Sequence, residues 1–167
     1  EFKVGGPMEK LATDVTEFAV AGGKAYLSPV MDMVSNEIVA WSVSAHPDMA
    51  QIMEMMEGLE ARELGPDPLL HSDQGWQYQH RWFQGKLAEM GITQSMSRKA
   101  TCLDNACMEG FFGHLKDEFY EGQRYGSFEE FKAKLDAYIG YWNTQRRQLA
   151  LNEMTPVEYR GHRIRAA

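Results

Sequence analysis

The chain is poor in cysteine, with Cys102 and Cys107 the only two in 167 residues. That excludes a disulfide-stapled scaffold and leaves reduced thiols as the expectation. Long apolar runs are missing too. The longest stretch without a charged residue covers residues 38–47, half of the roughly 20 residues a bilayer span requires, and no basic-then-apolar segment opens the sequence. A soluble, cytoplasmic protein with no membrane partner is expected. A positive surface is equally wanting: 17 Lys+Arg against 24 Asp+Glu give a net charge of −7. Strong non-specific binding of nucleic acid by the whole surface is therefore excluded, because such binding is driven by phosphate neutralisation. Internal repeats and low-complexity segments are also absent.

What is present is ordinary for a globular domain: 44% hydrophobic, 11% aromatic and 25% charged residues supply enough apolar surface for one independent core. Charge is divided unevenly along the chain. Residues 1–74 carry 4 Lys/Arg against 13 Asp/Glu, whereas residues 75–167 carry 13 against 11, so the basic groups lie mostly downstream and any contact with nucleic acid is expected to be local, or helped by metal ions or a further domain.

Periodicity orders the elements. Residues 1–8, punctuated by Gly5-Gly6-Pro7, read as a disordered tail or expression remnant, 9–160 as the folded core and 161–167 as a basic tail. Alternation predicts antiparallel strands at 11–18, 25–33 and 37–45, the second interrupted by Pro29, which cannot donate to a ladder. Met49, Ile52, Met53, Met56 and Leu59 then recur at helical steps until Gly65-Pro66. Core packing accounts for these methionines. Short strands at 69–72 and 92–96 flank a helix carrying Phe83, Leu87 and Met90, the grammar of an α/β fold. A basic loop over 97–103 leads to a helix from about Asp104, with Met108, Phe111, Leu115 and Phe119 on one stripe. The last long helix opens with Ser127 and Glu130 as a capping box and buries Phe128, Phe131, Leu135, Tyr138 and Trp142.

Three carboxylates stand where chemistry is possible. Asp14 falls inside the first predicted strand, where a buried charge is costly unless a cation or hydrogen bonds compensate it. Asp73 ends the fourth strand, at the carboxyl edge where open α/β sheets place ligands. Glu109 shares a helical face with Asn105, Gly113 and Lys116, beside the Phe111/Leu115 stripe. Gathered together, the three would repel one another unless a divalent cation sat between them, and hard oxygen donors suit Mg²⁺ or Mn²⁺. Taken singly, Asp73 reads as a turn residue and Glu109 as a charge favouring its helix start.

Four segments, in order, carry a resemblance. They are Thr13-Asp14-Val15-Thr16-Glu17-Phe18; His71-Ser72-Asp73-Gln74-Gly75-Trp76-Gln77-Tyr78; Asp104-Asn105-Ala106-Cys107-Met108-Glu109-Gly110-Phe111-Phe112 with Leu115-Lys116-Asp117-Glu118; and Tyr141-Trp142-Asn143 leading to Arg146-Arg147 and Thr155-Pro156-Val157-Glu158-Tyr159. The sequence resembles the catalytic core of retroviral-integrase-like DDE transposases from bacterial insertion sequences. The resemblance implies an α/β, ribonuclease-H-like fold with a five-stranded mixed sheet flanked by helices. It implies Asp14, Asp73 and Glu109 as the catalytic, metal-binding triad holding two Mg²⁺ (or Mn²⁺) ions per active site, with Asp14 bridging both. The implied activity is a two-metal polynucleotidyl transfer that cuts a strand at the element's ends and joins the freed 3′-hydroxyl to another strand, without a covalent enzyme intermediate. The alternatives are a ribonuclease-H-like nuclease without strand transfer and a non-catalytic DNA-binding or assembly module.

The implied partners are transposon-end and target DNA, further copies of the chain in the DNA complex, and an amino-terminal helix-turn-helix region of the full-length protein, all in the nucleoid-associated cytoplasm of a bacterium. Lys116, Arg98, Lys99, Asn105, Arg146 and Arg147 are candidate DNA contacts, the basic ones through phosphates. Trp76 and Tyr78 could stack on an unpaired base, or simply close a helix onto the sheet. Cys102, Cys107 and His114 have a loose zinc-like spacing without a fourth ligand. His71 and His80, flanking Asp73, read as packed or surface histidines.

Overall fold

The first predicted strand forms as two pieces, β1 (Lys10–Thr13) and β2 (Thr16–Val20), separated by Asp14 and Val15. A computed structural model, which describes residues 5–97 and 106–166, shows why. Both pieces pair antiparallel with β3 (Gly23–Asp32), and their registers continue one another: Thr13 faces Val30, and Thr16 faces Leu27. Extending that register sets Asp14 against Pro29. The Met33 N–H donates to Lys10 O across this ladder, while the Asp32 N–H donates to Glu37 on the other side. Strand alternation therefore aims the Pro29 nitrogen, which carries no hydrogen, at Asp14. Thr13 Oγ1 donates to Pro29 O at 2.9 Å, so that carbonyl is satisfied while the ladder opens beside it. The proline that interrupts one strand in the sequence thus opens its neighbour at the acidic residue.

β4 (Ile38–Ser44) pairs with the other edge of β3, and β1 pairs in parallel with β5 (Leu69–Ser72), which pairs in parallel with β6 (Thr93–Met96). Since β1 and β2 share one place beside β3, the strand segments fill the five positions β4-β3-β1/β2-β5-β6 of a mixed sheet. Leu11 and Ala12 point to opposite faces and into different cores. On the Leu11 face lie α1 (Met49–Glu60), α2 (Trp76–Gln79) and α3 (Arg81–Glu89), which bring Ile52, Met55, Met56, Tyr78 and Phe83 against Val30. On the Ala12 face lie α4 (Ala106–Leu115) and α5 (Phe128–Thr144), which bring Met108, Phe111, Leu135 and Trp142 against Phe18 and Leu27. The methionines of α1 are core, as their spacing predicts.

Local signals act where the sequence places them. Asp48 caps α1 by accepting from the Gln51 N–H at 3.2 Å, and Ser127 caps α5 by accepting from the Glu130 N–H at 3.1 Å. Glu130 reaches back one residue further than a standard capping box, to the Gly126 N–H at 2.8 Å. Asn143 clips α5 to the start of β4, accepting from the Ile38 N–H and donating to Ile38 O, both at 2.9 Å.

Three expectations change. The helix carrying the Phe119 stripe is α-helical only to Leu115; over Lys116–Tyr120 it widens to a π-helical turn, with the Glu121 N–H donating to Lys116 O at 2.8 Å. Met8 is not part of a tail: it is buried in the core, and its carbonyl accepts from the Gly65 N–H at 3.1 Å. The stretch read as a basic tail continues α6 (Pro156–Ala166). That helix is fastened by buried Glu37, which accepts from Arg160 and, at 3.1 Å, from Arg62 beyond α1. Among the described residues no helix is long and apolar enough to cross a membrane.

Candidate active site

The parallel pairing of β1 with β5 sets Ala12 opposite His71. Asp14 directly follows β1 and Asp73 directly follows β5, so both stand at the carboxyl ends of adjacent parallel strands, two residues past that last pair. Asp14 is half-buried, and its Oδ1 accepts from the Val15 N–H at 2.8 Å. Asp73 is exposed, and its Oδ1 accepts from the Gly75 N–H at 2.7 Å, an Asx turn leading into α2. Period-two alternation groups Asp14 with Ala12 and Phe18, on the face that α4 covers.

One residue the sequence reading passed over, Gly75, shapes the surroundings of Asp73. A Cβ at Gly75 would lie 2.9 Å from Asp73 Oδ1 and 2.9 Å from Gln77 Oε1, while the backbone there, at φ −55, suits any residue. Glycine leaves these two side-chain ends their positions, and the Asp-x-Gly spacing was the signal for it. Tyr78, read as a stacking candidate with Trp76, is wholly buried, whereas Trp76 is 58% exposed and remains available to a ligand. Burial, followed by the charge of Asp14 and then that of Asp73, pushes the Tyr78 pKa well above its ordinary value. Val15, Trp76 and Gln77 line a shallow pocket with Pro47 and Asp48 beside the carboxylates.

Glu109 stands exposed in the first turn of α4, with Gly113 and Lys116 exposed on its face while Phe111 and Leu115 are buried, as the helical wheel predicts. Among the described residues, no three His, Cys, Asp or Glu side chains are gathered closely enough to hold a metal ion. Asp14 and Asp73 thus follow the ends of adjacent parallel strands, and Glu109 is not gathered with them into a three-ligand group among the described residues. Nor does it gather the zinc-like set: Cys107 is a half-buried free thiol whose pKa is raised foremost by burial, and Cys102 lies outside the described residues. His80 caps α3, its Nδ1 accepting from the Trp82 N–H at 3.1 Å, and His71 is buried with Nδ1 3.1 Å from Ser95 Oγ.

The basic candidates divide. Lys116 is exposed and has no ion-pair partner among the described residues. Arg146 is committed to the fold: its Nε donates to Glu118 at 2.8 Å and its guanidinium covers the Trp142 ring at 4.9 Å. Glu118 also accepts from Tyr138 Oη at 2.7 Å. Burial opposes ionisation of Glu118, yet the hydrogen bonds from Tyr138 and Arg146 outweigh it and hold the carboxyl below its usual value. Arg147 is exposed and pairs with Glu158 at 3.2 Å. Arg98, Lys99 and Asn105 lie outside the described residues.

Integrase core domain models match residues 5–102 and 109–164, and the chain belongs to that family. Within it, the sequence corresponds to the core region of insertion-sequence transposases. An uncharacterized transposase-like protein of Haemophilus influenzae is 49% identical over 96% of this chain and 74% of its own length. The putative transposase InsK for insertion sequence element IS150 of Escherichia coli is 48% identical over 96% of this chain and 57% of its own length. Transposase InsF for IS3A of the same organism is 31% identical over 95% of this chain and 56% of its own length. The chain therefore spans little more than half of those two transposases. Among solved structures, the simian T-cell lymphotropic virus intasome in complex with PP2A regulatory subunit B56 gamma superposes with a TM-score of 0.77 at 14% identity, over 93% of this chain and 55% of that one. The HTLV-2 integrase catalytic core domain in complex with magnesium, in trimeric form, gives 0.69 at 15% identity over 93% and 97%. These likenesses establish the ribonuclease-H-like fold.

Proposed function

We propose that the chain is the catalytic core of an insertion-sequence transposase, a polynucleotidyl transferase that cleaves a DNA strand at the ends of its element and joins the freed 3′-hydroxyl to a target strand. The position of Asp14 and Asp73 just past the carboxyl ends of the adjacent parallel strands β1 and β5 supports this reading, and the transposase relatives supply the substrate class. The donors are hard oxygens, and Gly75 leaves the Asp73 carboxylate its room. That arrangement fits Mg²⁺ or Mn²⁺, and the HTLV-2 integrase core was solved with magnesium. Asp14 and Asp73 would hold the metal, with Glu109 as the third ligand from α4.

When bound, a pair of such ions activates a water or a 3′-hydroxyl and stabilises the leaving oxygen of an in-line displacement. In cleavage, the water oxygen bonds to phosphorus as the bond from phosphorus to the 3′-oxygen breaks, and that oxygen takes up a proton. In joining, the 3′-hydroxyl loses its proton as its oxygen bonds to a target phosphorus, and the displaced target 3′-oxygen is protonated. Asp14, at the opened rung, and Asp73, on its Asx turn, hold the reacting phosphate's surroundings at the sheet end. Lys116 neutralises a flanking phosphate. Several copies share the DNA complex, as the dimeric and trimeric HTLV-2 cores illustrate for their own family member. Recognition of the element's ends falls to a helix-turn-helix region of the longer protein, acting in the bacterial cytoplasm.

Two measurements test the reading. Calorimetric titration with Mn²⁺ should show binding by the wild type that is lost in Asp73→Asn, and equal binding by both refutes the metal centre. Incubation with a pre-cut element end and a target duplex should yield a joined product, and hydrolysis without joining identifies a plain nuclease instead.

A further inference from the structure

The end of α6 concentrates positive charge that the fold leaves unneutralised, in a chain whose net charge is −7. Arg163 and Arg165 lie in its last turn beside exposed His162, and neither arginine forms an ion pair among the described residues. The Arg165 guanidinium folds back along the helix, its Nη1 3.5 Å from where a Cβ on Gly161 would stand, which draws its charge into the turn of His162 and Arg163. The nearest acids do not balance this charge: Glu158 pairs with Arg147, Glu37 pairs with Arg160, and Glu63, which lines a groove with Arg160 and Ile164, is in no ion pair. Pro7, Met8 and Gly65, which precede β1 and β5, line the same groove. Asp14 and Asp73 follow those strands, so the basic end of α6 lies at the other end of the sheet from them. Met8 and Asp14, on either side of β1, stand about 20 Å apart at strand spacing. That is about twice the Debye length of ~10 Å at ~0.1 M salt, so Arg163 and Arg165 are screened from a phosphate at the carboxylates and act only through a contact of their own.

We propose that the end of α6 is a second phosphate-binding surface, on which Arg163 and Arg165 hold the backbone of duplex DNA about 20 Å from the strand ends that carry Asp14 and Asp73. This rests on the DNA reading given above and adds a partner surface to it. Phosphates recur about every 3.4 Å along one strand, so on a straight duplex the contact falls about six nucleotides from the reacting phosphate. Arginine suits the task, because its planar fork donates two hydrogen bonds to one phosphate. A contact at Lys116 fixes one point of the duplex, and a second at α6 fixes its direction.

The test measures the salt slope of DNA binding by fluorescence anisotropy, for the wild type and for Arg163→Gln/Arg165→Gln, on two duplexes of the same element end. One extends about 15 base pairs to each side of the cut, and the other, closed by hairpins, about four. On the long duplex the double variant should lower the slope by about two, and on the short one it should leave the slope unchanged. Lys24→Gln/Lys134→Gln removes the same charge from exposed ion pairs with Glu17 and Glu130 and should leave both slopes as they are. The Tm of the α6 double variant should stay within about 2 °C of the wild type; if it does not, Arg165→Gln alone should still lower the long-duplex slope by about one. An unchanged slope on the long duplex overturns the proposal, as does an equal fall on both duplexes or an equal fall in the Lys24/Lys134 control. A lowered Tm at unchanged slope returns the arginines to the helix end, whose dipole favours cations, and a loss of self-association at unchanged slope assigns them to a second copy of the chain. If the wild type shows no salt-dependent binding to either duplex, the DNA reading fails and takes this proposal with it. If the wild-type slope stands and the α6 variants do not move it, only the α6 surface falls.

Discussion

Replacing Gly75 by alanine should separate the site from the fold. The new Cβ would lie 2.9 Å from Asp73 Oδ1, where ordinary contact begins at 3.4 Å. The carboxylate oxygen must therefore move by about 0.5 Å, and since a displacement of about 1 Å can cost about 100-fold in rate, about 10-fold is expected here. The Gln77 head group meets the same Cβ at 2.9 Å and must also swing away. Both obstacles are ends of side chains, and the backbone at φ −55, ψ 147 accepts alanine. Stability should consequently hold or increase, since a compatible Gly→Ala change stabilises by about 0.4–1 kcal/mol through the unfolded chain. Scanning calorimetry should show a Tm unchanged or raised by up to about 4 °C. Single-turnover cleavage of a labelled element end should be slowed about 10-fold, with Mn²⁺ affinity reduced in step. Full activity at an unchanged Tm would mean that clearance at Gly75 does not position Asp73, and a fall in Tm beyond about 4 °C would mean that glycine serves the fold instead.

Glu37→Gln leaves the Arg62 and Arg160 guanidiniums without their buried counter-charge, which should destabilise by about 3 kcal/mol and lower the Tm by about 6–12 °C; a shift below about 2 °C contradicts the clasp. Lys116→Ala should lower the salt slope of DNA binding, followed by fluorescence anisotropy, by about one, whereas Arg146→Ala should leave the slope and lose stability, because Arg146 is spent on Glu118 and Trp142. The reverse pattern would exchange their roles. Glu118, whose folded pKa lies below its ordinary value of 4.5, contributes stability that is whole above that value and fades as pH falls through the lower folded one. Urea melts of wild type and Glu118→Gln should therefore differ near neutral pH and draw together as the pH falls well below 4.5, and a gap that does not narrow with falling pH sinks the assignment.

The elements were legible wherever one period dominated. Met49 to Leu59 and Phe131 to Trp142 announce helices by spacing, and Asp48 and Ser127 announce their caps. The strand-end positions of Asp14 and Asp73 were legible because a strand end is a local property: Asp73 follows an apolar run, and Asp14 interrupts one. Glu109 could be placed on a helix face by its wheel, but its distance from the aspartates depends on how α4 approaches the sheet, which no local pattern encodes. The π-helical turn at Lys116 was hidden for a related reason. It is fixed by tertiary partners: Tyr138 and Arg146, which hold Glu118, and Tyr120 Oη, which donates to Ala19 O at 2.8 Å. Tyr78 and Trp76 share one tetrapeptide and the same chemistry, so only burial could divide them. Arg146 and Lys116 were likewise equal as charges until Glu118 claimed one of them.

Pro29 also governs the phase of the strand that carries Asp14. A bulge would have added one residue to that strand and turned Phe18 and Val20 out into water. A skipped rung adds none, and Phe18 and Val20 stay in the core under α4 and α5. An ionisable side chain can thus be set into the middle of a covered strand by editing only the residue across from it. Transplanting this acidic position into another sheet would need two substitutions, a proline and an aspartate on facing strands, and no change in chain length.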